Sequence, residues 1–169
     1  MKIRKLCLKD APFMLEWMHD EDVVKDLQAN FMAKTMQDCE NFIVAAQNID
    51  TDLHMAIVDD NDEYMGTVSL KHISKGKAEF GITIRKKAMG KGYSKAAMHE
   101  IIEYGFKDLN IESIYWCVNA INRRAIRFYD KNGYIKININ ETKLFNTILE
   151  MGSYTEEQIK KYVWYEISK

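Results

Sequence analysis

KAEFGITIRKKAMGKGYSKAAM, residues 77–98, decides the fold. KAEFGITI alternates large apolar side chains with smaller or polar ones, the period-2 pattern of a strand. A glycine-bearing basic loop follows, and a helical pattern runs from about Tyr93 to Lys107, with Ala97, Ile101, Tyr104 and Gly105 on the repeat. The segment is therefore a strand, a loop and a helix N-terminus in direct succession. A helix start leaves backbone N–H groups unpaired and carries partial positive charge. Gly90 and Gly92 would let an anion approach those amides, and Lys86, Lys87, Lys91 and the Ser94 hydroxyl stand around them. That chemistry suits a phosphate or pyrophosphate. A tight turn with solvated lysines fits the loop alone equally well. The spacing is not that of a P-loop, and no third glycine completes G-x-G-x-x-G.

Outward from this segment, the chain reads as mixed α/β. KIRKLCL is a strand, and Asp10–Pro12 reads as an N-cap followed by a first-turn proline. Phe13, Met14, Trp17 and Met18 recur at helical spacing, and a short helix follows Asp20. Thr35 with Asp38 opens a third helix. LHMAIVDD and YMGTVSLKHI form a hairpin around DND, with Gly76 as the next break. Beyond the helix at 93–107, IESIYWCVN is a strand, and INRRAIRFYDKNGY is a helix stopped at Asn132-Gly133. YIKININ reads as a strand, TKLFNTILEM fits strand or helix, a helix starts at Thr155, and YVWYEIS is a final strand. Without repeats or linkers, the 169 residues are expected to form one domain.

Composition narrows the function. A formal net charge of −1 gives no global basic field for nucleic acid, so any anion site is local. No apolar run nears the roughly 20 residues of a membrane span, and the N-terminus lacks a signal-peptide core, so a cytoplasmic protein is expected. Cys7, Cys39 and Cys117 are three dispersed thiols with no C-x-x-C pair, and the four histidines show no ligand spacing, so neither disulfides nor a metal are expected.

Lys87-Ala88-Met89-Gly90-Lys91-Gly92 resembles the Q/R-x-x-G-x-G/A motif of the GNAT N-acetyltransferases, which binds the acetyl-CoA pyrophosphate. Lys87 stands where that motif has Arg or Gln. Thirty residues after Gly92, NRRAIRFYDKNGY (122–134) resembles the family's N-x-x-A-x-x-x-Y-x-x-x-G-[FY] segment. Together the likeness spans about residues 64–140, in the subgroup of ribosomal-protein, polyamine and amino-sugar acetyltransferases. It implies an α+β fold with a mixed, mostly antiparallel sheet flanked by helices.

The resemblance also implies roles. Met89, Gly90, Lys91, Gly92, Tyr93 and Ser94 would face the pyrophosphate, Lys87 would keep the motif's donor and charge, and Arg85 and Lys86 would be the nearest cations or simply solvated. The strand carrying Phe80, Ile82 and Ile84 would pair its main chain with the pantetheine arm, and a backbone N–H there would polarise the thioester carbonyl. Asn122 would hydrogen-bond the cofactor or cap its helix. Tyr129, two helical turns on, would protonate the departing CoA thiolate, with packing in the core as the alternative. The family's fifth-strand glutamate is replaced here by Cys117, which leaves Glu79 as candidate base, against a reading as a solvated strand residue. Asp20, Glu21 and Asp22 would line an acceptor cleft or cap a helix; Trp17, Phe31 and His72 are read first as core or surface residues, with the acceptor side as the alternative. The implied reaction moves acetyl from acetyl-CoA directly to a primary amine: a polyamine, an amino sugar or a protein N-terminus. A non-catalytic acyl-CoA-binding regulatory module is the alternative. The segment from about Thr142 to Tyr162 would shape the acceptor side or an oligomer contact such as a homodimer.

Overall fold

The computed structural model describes residues 1–27 and 29–169. Contacts divide the chain into two compact units, Met1–Ile114 with Lys169, and Tyr115–Ser168. The class is α/β in both.

The first unit is built on four antiparallel strands in chain order: β1 (Lys2–Lys5), β2 (Leu53–Val58), β3 (Tyr64–Ser74) and β4 (Lys77–Ile84). β3 is buried on both faces from Tyr64 to Leu70, Thr67 and Ser69 included, so its alternation of polar and apolar residues does not mark a solvent face. It reaches β4 through Lys75 and Gly76, both at positive φ (49° and 73°), the backbone of a tight two-residue hairpin. At Gly66 the two strands come so close that a Cβ would lie 2.4 Å from the Thr83 carbonyl oxygen.

Four helices belong to this unit: α1 (Ala11–Met18), α2 (Glu21–Val24), α3 (Met36–Ala45) and α4 (Tyr93–Lys107). Thr35 and Asp38 form the expected reciprocal capping box of α3, whose Cys39 and Ile43 are buried four residues apart. They join Met14, Trp17, Met18, Val23, Val24, Ala56, Val58 and Tyr64 in one apolar cluster. Each fully buried side chain of that size contributes about 1.5–3 kcal/mol. Helix α1 starts after Asp10 as the sequence suggests, but the Asp10 carboxylate does not cap it. It turns back instead to accept from the Cys7 N–H at 2.9 Å and from both terminal nitrogens of Arg4 at 2.8 Å. Asp10 is 1% exposed, and a bidentate guanidinium satisfies a buried carboxylate better than a cap would.

In the second unit, β5 (Ser113–Asn119), which begins at the end of the first, leads to α5 (Arg123–Lys131), β6 (Lys136–Ile137), α6 (Leu144–Met151), α7 (Glu156–Lys161) and β7 (Tyr162–Ser168). β7 lies between β5 and β6, antiparallel to β6. The strand expected over YIKININ stops at Ile137, because the chain folds into a 3-10 turn that buries Ile139. TKLFNTILEM resolves as helix, with Leu144 and Ile148 one turn apart and both buried. They pack with Tyr115, Ile139, Tyr154, Ile159 and Trp164, so much of the 142–162 segment forms this unit's own core. No helix among the described residues is long and apolar enough to cross a membrane.

Candidate functional site

The loop after β4 turns once as a 3-10 segment (Lys86–Ala88), extends at Met89, and enters α4 through two glycines. Gly90 and Gly92 have φ of 76° and 84°, the left-handed region that costs other residues strain. Gly92 is the N-cap of α4 and carries no side chain to satisfy the first-turn amides. A Cβ placed on either glycine would meet nothing within 4 Å, so the space beside the loop is open. A 15-residue helix therefore presents its positive end to an unobstructed approach, a fit for a pyrophosphate.

The cations around this loop differ sharply in what they hold. Arg85 is 5% exposed and commits its guanidinium to protein partners. It grips Glu16 with two bonds (3.0 and 2.6 Å), donates to Glu63 (2.7 Å) and the Tyr64 carbonyl (2.8 Å), and lies over the Phe13 ring at 4.5 Å. Burial works against its charge, yet the two carboxylates outweigh that and the guanidinium is held more firmly protonated than usual. Lys87 reaches the same Glu63 oxygen at 2.8 Å, and exposed Lys86 pairs with Asp22. Arg85 thus ties α1 and the start of β3 to the head of the loop, and Lys91 and the backbone amides stand at its tip.

A cavity of about 330 Å³ lies on the helical side of β3 and β4. Trp17, Phe31 and Phe42 give it aromatic walls, and Thr67, Gly81 and Thr83 line its strand side. Under it, Tyr64 joins the Trp17 indole N–H (3.1 Å) to the Thr67 hydroxyl (2.7 Å). His54 and Ser69, adjacent on β2 and β3, meet at 2.7 Å between Nδ1 and Oγ and also line it. Burial lowers the His54 pKa, which favours the neutral ring. Glu79 is buried, not solvated, and both its oxygens are engaged: Oε1 by Lys71 at 3.1 Å and Oε2 by His72 at 3.0 Å. Trp17 and Phe31 thus reach the cavity wall, while His72 faces Glu79.

In the second unit, Asn122 caps α5, accepting the Ala125 N–H at 3.0 Å. Tyr129 is 6% exposed and sits among the rings of Trp116, Phe128, Tyr134 and Tyr165, with centroids 5.1 to 6.1 Å away. Burial there pushes its phenol pKa far above the ordinary value. Cys117 Sγ lies 3.5 Å from the Tyr154 hydroxyl. The sequence did not single out Tyr64, His54, Ser69 or Glu16. Only the β2–β3 register, which sets His54 opposite Ser69, carried a usable signal.

Comparison with known proteins gives a consistent picture. The pattern of the family described as "Acetyltransferase (GNAT) domain" matches residues 1–135. The uncharacterized N-acetyltransferase p20 of Bacillus licheniformis is 25% identical over 142 residues, covering 80% of this chain and 79% of that protein. The spermidine N(1)-acetyltransferase of Escherichia coli K12 is 36% identical over 67 residues, 40% of this chain and 36% of its own length. Among solved structures, the spermidine N-acetyltransferase from Vibrio cholerae in complex with CoA and spermine superposes with a TM-score of 0.76. It is 18% identical, over 99% of this chain and 94% of that one, a likeness of fold.

Proposed function

Because the chain belongs to the GNAT acetyltransferase family, we propose that it transfers the acetyl group of acetyl-CoA directly to a primary amine, with the whole chain acting as one functional domain. The observation that carries this reading is the Met89–Ser94 entry into α4, with two left-handed glycines, an unobstructed approach and a helix N-terminus behind them. The amides of Gly90 to Ser94 and the Lys91 ammonium would hold the pyrophosphate. Phe80, Ile82 and Ile84 belong to the strand whose main chain would align the pantetheine arm, with Asn122 as a further polar contact. Arg85 and Lys87, joined through Glu63, would keep the loop in shape while adding positive charge nearby.

In the reaction, acetyl-CoA supplies an activated carbonyl with a thiolate leaving group. The amine nitrogen forms a bond to that carbonyl carbon, the carbon–sulfur bond breaks, and sulfur leaves with the electron pair. Tyr129, kept protonated by its buried ring cage, would donate the proton that sulfur takes up. The amine's proton would pass through water toward Glu79 or to solvent. Since Lys71 and His72 already engage both Glu79 oxygens, that carboxylate would act through its partners more readily than by direct contact. Holding donor and amine together would supply most of the rate.

The named relatives that act on spermidine make polyamines the first acceptor class to try, followed by amino sugars and N-terminal peptides. Release of free CoA thiol from acetyl-CoA, measured with each class in turn, tests the reading. Amine-dependent release is expected. Tight acetyl-CoA binding with no release to any amine would favour a regulatory acyl-CoA-binding module, a reading to which Cys117 in place of the family glutamate already lends weight.

A further inference from the structure

We infer that the cavity between the first helices and strands β3 and β4 takes an amine carried on an apolar or aromatic body, rather than a polyamine. This rests on the acetyl-transfer reading and names the acceptor class for it.

The first support is the lining itself. Met14, Trp17, Met18, Phe31, Phe42 and Ile82 make its apolar wall. Trp17 and Phe31 meet edge to face at 5.0 Å, and the Phe42 ring lies 4.8 Å from that of His54. A space of about 330 Å³ bounded this way holds a ring or a short branched chain, and rejects a solvated polycation. Aromatic faces can still receive a single ammonium through their quadrupoles.

Charge is the second, independent support. A polyamine brings several ammonium groups and needs carboxylates to meet them. Asp38 is the carboxylate on the lining, and its Oδ2 accepts both the N–H and the hydroxyl of Thr35 at 2.8 Å. Glu79, just beyond Gly81 on the same face of β4, has both oxygens engaged by Lys71 and His72. Of the acidic trio, Asp20 accepts the Asp22 N–H at the start of α2, and Asp22 pairs with Lys86 and Lys25; none of the three lines the cavity. Lys71 on the lining is matched by Glu79, and Lys34 stands against Asp38, so no surplus of carboxylate is left to meet several ammonium groups. His54, facing Ser69 of β3, Phe42 of α3, and the nearby charges of Asp52 and Lys71, is kept neutral by burial. The balance opposes multiple cations.

The test uses the full chain with 2-phenylethylamine and spermidine as probes. Binding of each is followed by calorimetry in the presence of CoA, and turnover by release of CoA thiol from acetyl-CoA. We expect 2-phenylethylamine to bind at least about tenfold more tightly than spermidine, about 1.4 kcal/mol, and to turn over with the higher kcat/KM. Phe31→Ala should weaken 2-phenylethylamine binding while leaving acetyl-CoA affinity unchanged. Lys34→Glu, on an exposed side chain, should improve spermidine binding and hardly move 2-phenylethylamine. Saturable 2-phenylethylamine binding without any CoA release would uphold the cavity assignment and remove the transfer reading. Tighter binding of spermidine, binding of neither amine, or a Phe31→Ala protein that binds both as before would overturn the assignment.

Discussion

His72 donates from Nδ1 to Glu79 Oε2 across 3.0 Å, joining the end of β3 to the start of β4 beside a tight turn. The bond raises the His72 pKa, with burial opposing it to a smaller extent. A histidine whose folded pKa exceeds its unfolded value of about 6.5 adds stability that is fully present below that value. The contribution fades as pH climbs through the folded pKa. His72 has a φ of 53°, which asparagine tolerates, so His72→Asn removes the imidazole with little backbone strain. The stability gap between wild type and His72→Asn, from urea denaturation, should be larger near pH 5.5 than near pH 8.5. A gap that stays level across that range would show the pair uncoupled from folding.

Arg85 gathers Glu16, Glu63, the Tyr64 carbonyl and the Phe13 ring at the head of the glycine loop. Arg85→Met keeps the stem's packing and deletes the fork. Both carboxylates are partly solvated, with side chains 52% and 30% exposed, so they can rehydrate and the loss should be moderate. We expect about 2 kcal/mol of destabilisation by urea denaturation, the scale of a hydrogen bond to a charged group whose partner can be resolvated. Arg85→Lys should recover only part of it, because one ammonium cannot reach Glu16 bidentately and Glu63 together. Full recovery in Arg85→Lys would mean that charge, not fork geometry, holds the loop.

Two glycines allow stability and binding to be separated. At Gly66 a methyl group would press on the Thr83 carbonyl at 2.4 Å, a backbone atom that cannot swing away. Gly66→Ala should cost about 1–3 kcal/mol by forcing β3 and β4 apart. At Gly92 the same methyl meets nothing within 4 Å, but φ is 84°. Gly92→Ala should cost only about 1–2 kcal/mol of backbone strain, while weakening acetyl-CoA affinity about tenfold by calorimetry. An unaltered affinity would remove the loop from the proposed pyrophosphate site.

What the sequence disclosed and what it hid divide along sequence distance. Helix α4 spans Tyr93–Lys107 as its apolar period indicates, and the capping boxes at Thr35 and Thr155 follow from residues three apart. β4 and β7 match their alternating segments. Side-chain destinations were less readable. The Asp10 carboxylate has a local cap available and takes Arg4 instead, and Arg85 reaches Glu16 across 69 positions. For Glu79 the sequence leaves a candidate base and a solvated strand residue side by side, and its burial shows only once Lys71 and His72 arrive from the neighbouring strand. The short β6 ends because Ile139 finds a core among α6 and α7, elements whose packing no local period reports. The cavity is the least legible feature, since its lining comes from helices α1 and α3, the 3-10 turn at Phe31–Ala33 with Lys34, and strands β2 to β4.

Tyr129 offers the sharpest kinetic test. Its ring is enclosed by four others, so Tyr129→Phe keeps the packing that fixes α5 and removes only the hydroxyl. Because burial holds the phenol pKa far above its ordinary range, the group stays protonated through neutral and moderately alkaline pH and is suited to giving a proton, not taking one. A positioned acid of this kind contributes about 100-fold or more to the step it serves. Tyr129→Phe should therefore lower kcat by about that factor with acetyl-CoA affinity and urea midpoint nearly unchanged. Wild-type turnover should show no loss from Tyr129 ionisation as pH rises to about 9, well below the range in which this phenol gives up its proton. A Phe variant with wild-type kcat would leave sulfur to take its proton from solvent, and Tyr129 would stand only as a ring in the core.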